Sequence, residues 1–129
     1  MSERDETAAI EELATRFFSA ISAGDTDAIQ AIYAADAKIW HNTDGLEQGV
    51  TDNLKVLRWV HRNLREWRYE EVRRHVFAGG FVQQHVARGI APSGKEIELP
   101  ACIIGLVEGG HITRIDEYID SATVALMTA

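Results

Sequence analysis

The sequence predicts an α+β fold in which three N-terminal helices pack on the concave face of a curved, mostly antiparallel sheet. Apolar residues recur at helical spacing in the first half of the chain. The second half alternates between polar and apolar residues in segments that end at glycine turns, as paired strands do. Helices across one face of a bent sheet leave a pocket, and we expect the functional site there.

The first two helices are predicted to form a hairpin. The first runs from about residue 7 to residue 23, because its apolar side carries Ile10, Leu13, Ala14, Phe17 and Ile21. Gly24 ends this helix, and Asp25 is the expected N-cap of the second. The apolar side of the second helix carries Ala28, Ile29, Ile32 and Tyr33.

A strand, a loop and a third helix follow. Residues 37–42 have the pattern of a strand, and the turn formers of residues 43–49 indicate a loop. The third helix is predicted over residues 51–66, and its apolar side carries Leu54, Leu57, Val60, Leu64 and Trp67. This side must cover another element of the fold.

The remaining residues form four predicted strands and a short closing helix. The strands span residues 68–77, 81–90, 95–108 and 111–120, and the turns between them contain AGG, APSG and EGG. Residues 121–127 are expected to form the closing helix.

The bulk composition indicates one globular domain. The chain has 129 residues, of which 46% are hydrophobic and 26% charged, and this is enough for a buried core. It shows neither a secretion signal nor a run approaching the roughly 18 apolar residues of a membrane span, so we expect a cytoplasmic protein with no membrane contact. A net charge of −7 argues against a general affinity for nucleic acid.

One basic segment runs against the acidic balance of the chain. Seven of the thirteen Lys and Arg residues lie between Lys55 and Arg74, and Arg58, Arg62 and Arg65 form a stripe on the predicted third helix. We interpret the stripe as a solvated or dimer-pairing face, because the chain is acidic and carries no nucleic-acid motif.

No metal or organic cofactor is expected. The five histidines show neither HxH nor HExxH spacing, and the chain has no glycine-rich nucleotide motif. Cys102 lies in the apolar run ACIIGLV, which predicts a buried, unreactive thiol.

The segment SAGDTDAIQAIYAADAKIWHN, the order of elements and the ending HITRIDEYID together resemble the nuclear transport factor 2-like superfamily. Within it the chain is most similar to SnoaL-like polyketide cyclases and ketosteroid isomerase-like proteins. The resemblance covers about residues 10–120. It implies a cone-shaped α+β barrel, a homodimer that forms through the sheet, and a hydrophobic small-molecule substrate. Reaction type varies within the superfamily, so the resemblance implies the fold more specifically than the chemistry.

Two alignments within that superfamily imply different site residues. Against ketosteroid isomerases, His41 falls at the general base, Phe17 at the oxyanion-hole tyrosine and Ile103 at the protonated aspartic acid. Against limonene epoxide hydrolases, Trp40 and Asn42 match the tyrosine and asparagine that hold water, and Glu117 falls at a catalytic aspartate. Their arginine and second aspartate fall near Val86 and Arg88, so the Asp-Arg-Asp set is absent. The alignments disagree on whether Trp40 or His41 points inward.

The expected site therefore has two groups of residues. His41, His85 and Glu117 are the candidate catalytic residues, with His41 as general base and Glu117 raising the pKa of His85 and orienting it. Trp40, Asn42, Tyr33 and Phe17 are the candidate substrate-binding residues. The expected activity is isomerase-, cyclase- or dehydratase-like acid-base chemistry in a semi-closed cavity. The alternative is a non-catalytic ligand-binding or dimerisation module, because Phe17 and Ile103 cannot donate a hydrogen bond to an oxyanion.

Overall fold

The computed structural model describes residues 2–128, which form four helices and one six-stranded sheet. The elements are α1 (Glu3–Ala23), α2 (Thr26–Ile32), β1 (Tyr33–His41), β2 (Glu47–Gln48), α3 (Val50–Asn63), β3 (Arg65–Phe77), β4 (Gly80–Ile90), β5 (Glu96–Glu108), β6 (His111–Ile119) and α4 (Ser121–Met127). The predicted α+β class is confirmed, and so is the predicted order of helices and strands, except that the two-residue strand β2 lies in the predicted loop of residues 43–49. None of the helices within residues 2–128 is long and apolar enough to cross a membrane.

Helix α1 begins earlier than the apolar spacing predicts. Ser2 and Asp5 form a capping box, in which the Asp5 amide donates to Ser2 Oγ at 3.1 Å and the Ser2 amide to Asp5 Oδ2 at 3.3 Å. The helix ends at Gly24, whose φ of 70° is the left-handed conformation that glycine adopts most readily. The predicted stop at Gly24 is therefore confirmed.

Strand β1 begins at Tyr33, not at residue 37 as predicted. The prediction that Tyr33 lies on the second helix is wrong, because α2 ends at Ile32. Strand β1 pairs in parallel with β6, with a register irregularity between Tyr33 and Lys38. Tyr33 and Ala37 are both buried, as alternation along a strand expects for residues four positions apart. The alanine-rich sequence between them is compatible with a helix, and sheet pairing overrides that local preference.

The boundary between α3 and β3 also differs from the prediction. Helix α3 ends at Asn63, and Leu64 has extended backbone angles of φ −100° and ψ 116°. Trp67 and Arg65 consequently lie on β3. The apolar side of α3 therefore ends at Val60, and the stripe of three arginines does not exist on one helix. In β3, Glu66 and Glu71 have φ of 56° and 55° next to two register shifts. These bulges bend the strand.

The sheet is mixed and open. Its strand order is β2-β1-β6-β5-β4-β3, with β1 and β6 parallel and all other neighbours antiparallel. One row of inward-facing residues crosses four strands, in the order Gln83, Ile103, Glu117 and His41. This row determines which polar side chains meet at the site.

Two core clusters cover the concave face of the sheet. The larger lies under α1 and α2 and contains Phe17, Phe18 and Phe81. The smaller includes Leu64, Leu99 and Met127, and Met127 comes from α4. Cys102 belongs to neither cluster, because it is half-buried on the outer face of β5. The prediction of a buried core thiol at position 102 is wrong, since inward and outward residues alternate along the strand.

Candidate functional site

A cavity of about 250 Å³ lies between the concave face of the sheet and the helices α3 and α4. Its wall is mainly apolar, and a few polar side chains interrupt it. The apolar lining includes Leu57, Val60, Trp67, Leu99, Val124 and Met127, and the polar lining includes His41, Gln48, Asn53, Tyr69, His85 and Glu117. An apolar hollow with a few polar groups is the usual form of a small-molecule site.

His41 and Glu117 form the main polar contact in this cavity. They are direct neighbours on the parallel strands β1 and β6, and His41 Nε2 lies 3.0 Å from Glu117 Oε1. Both side chains are largely buried, with exposed fractions of 17% and 23%. Burial pushes the pKa of His41 down, but the hydrogen bond and charge of Glu117, together with the charge of Asp44, outweigh it. The pKa of His41 is therefore raised above its ordinary value of 6.5.

His85 lines the same cavity but has a different partner. Its Nδ1 lies 2.8 Å from Gln83 Nε2, and only 4% of the residue is exposed. Burial lowers the pKa of His85 to about 4; the charge of Glu117 opposes this shift and that of Arg74 adds to it. The expected pairing of Glu117 with His85 is therefore corrected, because Glu117 pairs with the adjacent His41.

Tyr33 and Asn53 fix α3 to the sheet beside the cavity. The Tyr33 hydroxyl donates to Asn53 Oδ1 at 2.8 Å, and both residues are buried. Tyr33 belongs to the larger core cluster and does not line the cavity, whereas Asn53 does. Burial, followed by the charges of Glu117 and Tyr69, raises the pKa of Tyr33, so its hydroxyl stays protonated at neutral pH.

Tyr69 is a cavity residue that the sequence analysis did not select. Its hydroxyl oxygen accepts from Trp67 Nε1 at 3.3 Å, and its ring centroid lies 4.5 Å from that of His85. Burial raises the pKa of Tyr69, so it remains a phenol. The alternation of Trp67, Arg68 and Tyr69 is a sequence signal that both aromatic rings lie on one face of a strand. The prediction misses this signal because it assigns Trp67 to the third helix.

All four predicted substrate-binding residues lie outside the cavity, since Trp40, Asn42 and Phe17 are absent from its lining as Tyr33 is. Trp40 faces the outer side of the sheet, where its ring packs on Tyr118 at 5.2 Å. The Asn42 side chain joins the ends of two strands, since Nδ2 donates to the Ile119 carbonyl at 3.0 Å and Oδ1 accepts from the Ile119 amide at 2.8 Å. Phe17 is 3% exposed and packs in the larger core cluster. Thus His41 points inward and Trp40 outward.

Within residues 2–128, no three His, Cys, Asp or Glu side chains are grouped so that they could hold a metal ion. The polar groups of the cavity are instead an imidazole with a carboxylate, a second imidazole, a phenol, two amides, and the hydroxyl of Thr43 and the carboxylate of Asp44. Such a set can accept and donate protons and hydrogen bonds.

Comparison with known proteins identifies the family. The model of the SnoaL-like domain family matches residues 14–115. This chain belongs to the SnoaL-like family. No curated protein matches the sequence of this SnoaL-like protein.

Solved structures share the fold of this SnoaL-like protein at low sequence identity. A candidate polyketide cyclase from Xanthomonas campestris pv. campestris has a TM-score of 0.82 at 18% identity, over 95% of this chain and 98% of that one. An NTF2-like protein from Burkholderia xenovorans LB400 has a TM-score of 0.79 at 22% identity, over 95% and 98%. A protein with a ketosteroid isomerase-like fold from Catenulispora acidiphila, in complex with trimethylamine, has a TM-score of 0.76 at 16% identity, over 91% and 92%. These similarities establish the fold alone.

Proposed function

We propose that this SnoaL-like protein is a cofactor-independent enzyme that uses general acid-base chemistry on a small hydrophobic molecule containing a carbonyl group. The observation that carries the proposal is the His41–Glu117 pair, with 3.0 Å between Nε2 and Oε1 in the wall of an apolar cavity. Isomerase-, cyclase- and dehydratase-like reactions can all begin when a base removes a proton from carbon. The proposal therefore concerns this first step.

The pairing suits His41 to act as the base. Glu117 occupies Nε2 and fixes the ring, which leaves Nδ1 to accept the proton from the substrate. The carboxylate then stabilises the imidazolium that forms. A base is most effective when its pKa lies near the working pH, and Glu117 keeps the pKa of His41 from falling on burial.

The cavity walls support a substrate that is apolar and compact. Leu99, Val124 and Met127 line the cavity, and Trp67 supplies an aromatic surface. The volume of about 250 Å³ is below the usual range for drug-sized ligands and suits a molecule of one or two rings. Two structural neighbours are named as candidate polyketide cyclases, and a polyketide by its name contains ketone groups.

Proton exchange in D₂O tests this function without knowledge of the natural substrate. We expect the protein to accelerate deuterium uptake next to the carbonyl in at least one member of a panel of one- and two-ring ketones, followed by NMR. His41→Gln should reduce that rate by roughly 10²- to 10⁴-fold, since it removes the base. His75→Gln, on an exposed part of β3, is the matched control and should keep the rate. Equal rates for the wild type and His41→Gln across the panel would refute the proposal.

A second candidate function is ligand binding without catalysis. Phe17 and Ile103 are both buried apolar residues, so neither donates a hydrogen bond to a substrate oxygen. Removal of one such donor typically costs an enzyme about 3 kcal/mol of transition-state stabilisation. Saturable ketone binding with no exchange above that of His41→Gln would favour this function.

We also propose that two copies of the chain pair through the outer face of the sheet. Val72 and Tyr118 are large side chains, exposed by 46% and 47%, beside a shallow groove on that face. Light scattering should give the mass of a dimer, and Val72→Asp should reduce it to that of a monomer. Leu46→Asp, in an exposed loop, is the control and should leave the mass unchanged. A wild-type monomer would contradict this pairing.

A further inference from the structure

A chain of side-chain hydrogen bonds runs from helix α1 to the cavity. Glu11 and Thr15 of α1 both accept from Arg74 Nη1. Arg74 Nε then donates to Gln83 Oε1 at 2.8 Å, and Gln83 Nε2 lies 2.8 Å from His85 Nδ1. Gln83 and His85 are buried, with 1% and 4% exposed.

The chemistry of these groups sets the tautomer of His85. Arginine offers only donors, so the amide oxygen of Gln83 must face Arg74 and its NH₂ group must face His85. An NH₂ group can only donate, and Nδ1 of His85 must therefore be an acceptor without a proton. The proton of the neutral ring is thereby placed on Nε2.

The Nε2–H group is available to a ligand. His85 lines the cavity, and among residues 2–128 Nε2 has no hydrogen-bond partner. Burial keeps the ring uncharged, with a pKa of about 4. At neutral pH His85 can therefore donate a hydrogen bond from Nε2, but it does not act as an acid. This differs from the acid-base role that the sequence suggests for His85.

Tyr69 provides a second donor beside the first. Its oxygen already accepts from Trp67 Nε1, and its hydroxyl proton is still available to donate. Among residues 2–128 that hydroxyl donates to no side chain. Its ring and that of His85 are 4.5 Å apart between centroids, and both residues line the cavity.

We propose that the Nε2–H of His85 and the O–H of Tyr69 form a donor pair that binds a carbonyl oxygen of the ligand, with Gln83 and Arg74 as positioning residues. This subsite deepens the proposed function and rests on it. When His41 takes a proton from carbon, the electrons of the C–H bond form a C=C bond and those of the C=O bond move to oxygen. The donor pair stabilises the resulting enolate, and the proton on His41 returns to carbon or oxygen. This pair supplies the donors that positions 17 and 103 lack.

The placement of the His85 proton on Nε2 can be tested directly by determining the tautomer of the ring, a measurement that does not depend on enzyme activity. In ¹⁵N-histidine-labelled protein at neutral pH, we expect His85 to carry its proton on Nε2 and none on Nδ1. Gln83→Glu replaces the NH₂ donor by an acceptor, and we expect Nδ1 to become protonated. Gln84→Glu adds the same charge one residue along the strand on the outer face, so it should leave His85 unchanged. A proton on Nδ1 in the wild type overturns the proposal, and this holds even if Gln83→Glu does not fold.

A pair of probes tests the donor pair itself. We expect 1-indanone to bind more tightly than indane, which has the same rings and no carbonyl. Tyr69→Phe should reduce the preference for the ketone by about tenfold, which is the usual effect of one hydrogen bond. Equal affinity for the two probes, no binding of 1-indanone at its solubility limit, or an unchanged preference in Tyr69→Phe overturns the subsite. A failure of proton exchange with the ketone preference intact would count against the proposed catalysis and leave the donor pair standing.

Discussion

At the scale of single residues, the two cavity histidines have opposite acid-base properties because they have different neighbours. His41 is held by a carboxylate, which favours its protonated form. His85 is held by an amide donor and by burial, which favour its neutral form. Two titratable groups whose environments separate their pKa values are a common basis for distinct roles in one site.

This difference predicts the pH dependence of stability. The pKa of His85 falls from about 6.5 in the unfolded chain to about 4 in the folded protein. Between these values the unfolded state binds more protons, so the free energy of unfolding decreases as the pH falls. The contribution of His85 to this loss is on the order of 3 kcal/mol by pH 4. His85→Gln should flatten this part of the profile, as measured by urea unfolding at a series of pH values.

His75→Gln serves as the control, because His75 is exposed on β3. We expect it to leave the slope of the profile unchanged. The same slope in His85→Gln and the wild type would contradict a buried, neutral His85.

The sequence predicts some of the cavity residues correctly and others incorrectly. His41, His85 and Glu117 were identified as titratable groups on predicted strands, and the structure brings all three to one cavity. The prediction of Trp40 and Asn42 rests on an alignment that leaves open which residues of β1 face inward. A shift of one residue in the alignment moves every side chain of a strand to the opposite face. It therefore decides whether Trp40 or His41 faces the cavity.

At the scale of elements, one buried hydrogen bond holds α3 in place over the sheet. Tyr33 of β1 donates to Asn53 of α3, and Asn53 lines the cavity. Tyr33→Phe removes the donor and leaves a buried amide oxygen unpaired, which should lower the free energy of unfolding by about 1–3 kcal/mol. Thr7→Val, which removes an exposed hydroxyl from α1, is the control for chemical unfolding. An effect no larger than that of Thr7→Val would show that this bond does not anchor the helix.

The elements themselves were largely predictable, and their junctions were not. Glycine turns and alternation located the four long strands, and the closing helix spans residues 121–127 as predicted. At two misplaced boundaries a helix passes directly into a strand, before Tyr33 and before Arg65. No glycine or proline marks either junction, and tertiary pairing decides both.

At the scale of the whole molecule, the concave face of the sheet is filled at one end and hollow at the other. Phe17, Phe18 and Phe81 pack solidly under α1 and α2, whereas α3 and α4 cover the cavity without filling it. A cavity in a core costs stability in proportion to its volume. A retained cavity is thus consistent with selection for binding in place of maximal stability.

Filling the cavity should separate stability from function. Ala87 lines it and is 2% exposed, so Ala87→Leu places three more carbon atoms in the hollow. We expect the affinity for 1-indanone to fall at least about tenfold, while the free energy of unfolding changes by no more than about 1 kcal/mol. Val86→Leu, on the outer face of the same strand, is the control. Unchanged affinity in Ala87→Leu would place the ligand elsewhere.

The proposed acid-base chemistry depends most on the contact between His41 and Glu117 in the cavity. Its most direct test is an NMR pH titration of the His41 ring in the wild type and in Glu117→Gln. We predict a pKa above the ordinary value of about 6.5 in the wild type and a lower pKa in the variant, because burial then acts without its main opposing charge. A His41 pKa that is the same in both proteins would contradict the pair and the acid-base chemistry built on it.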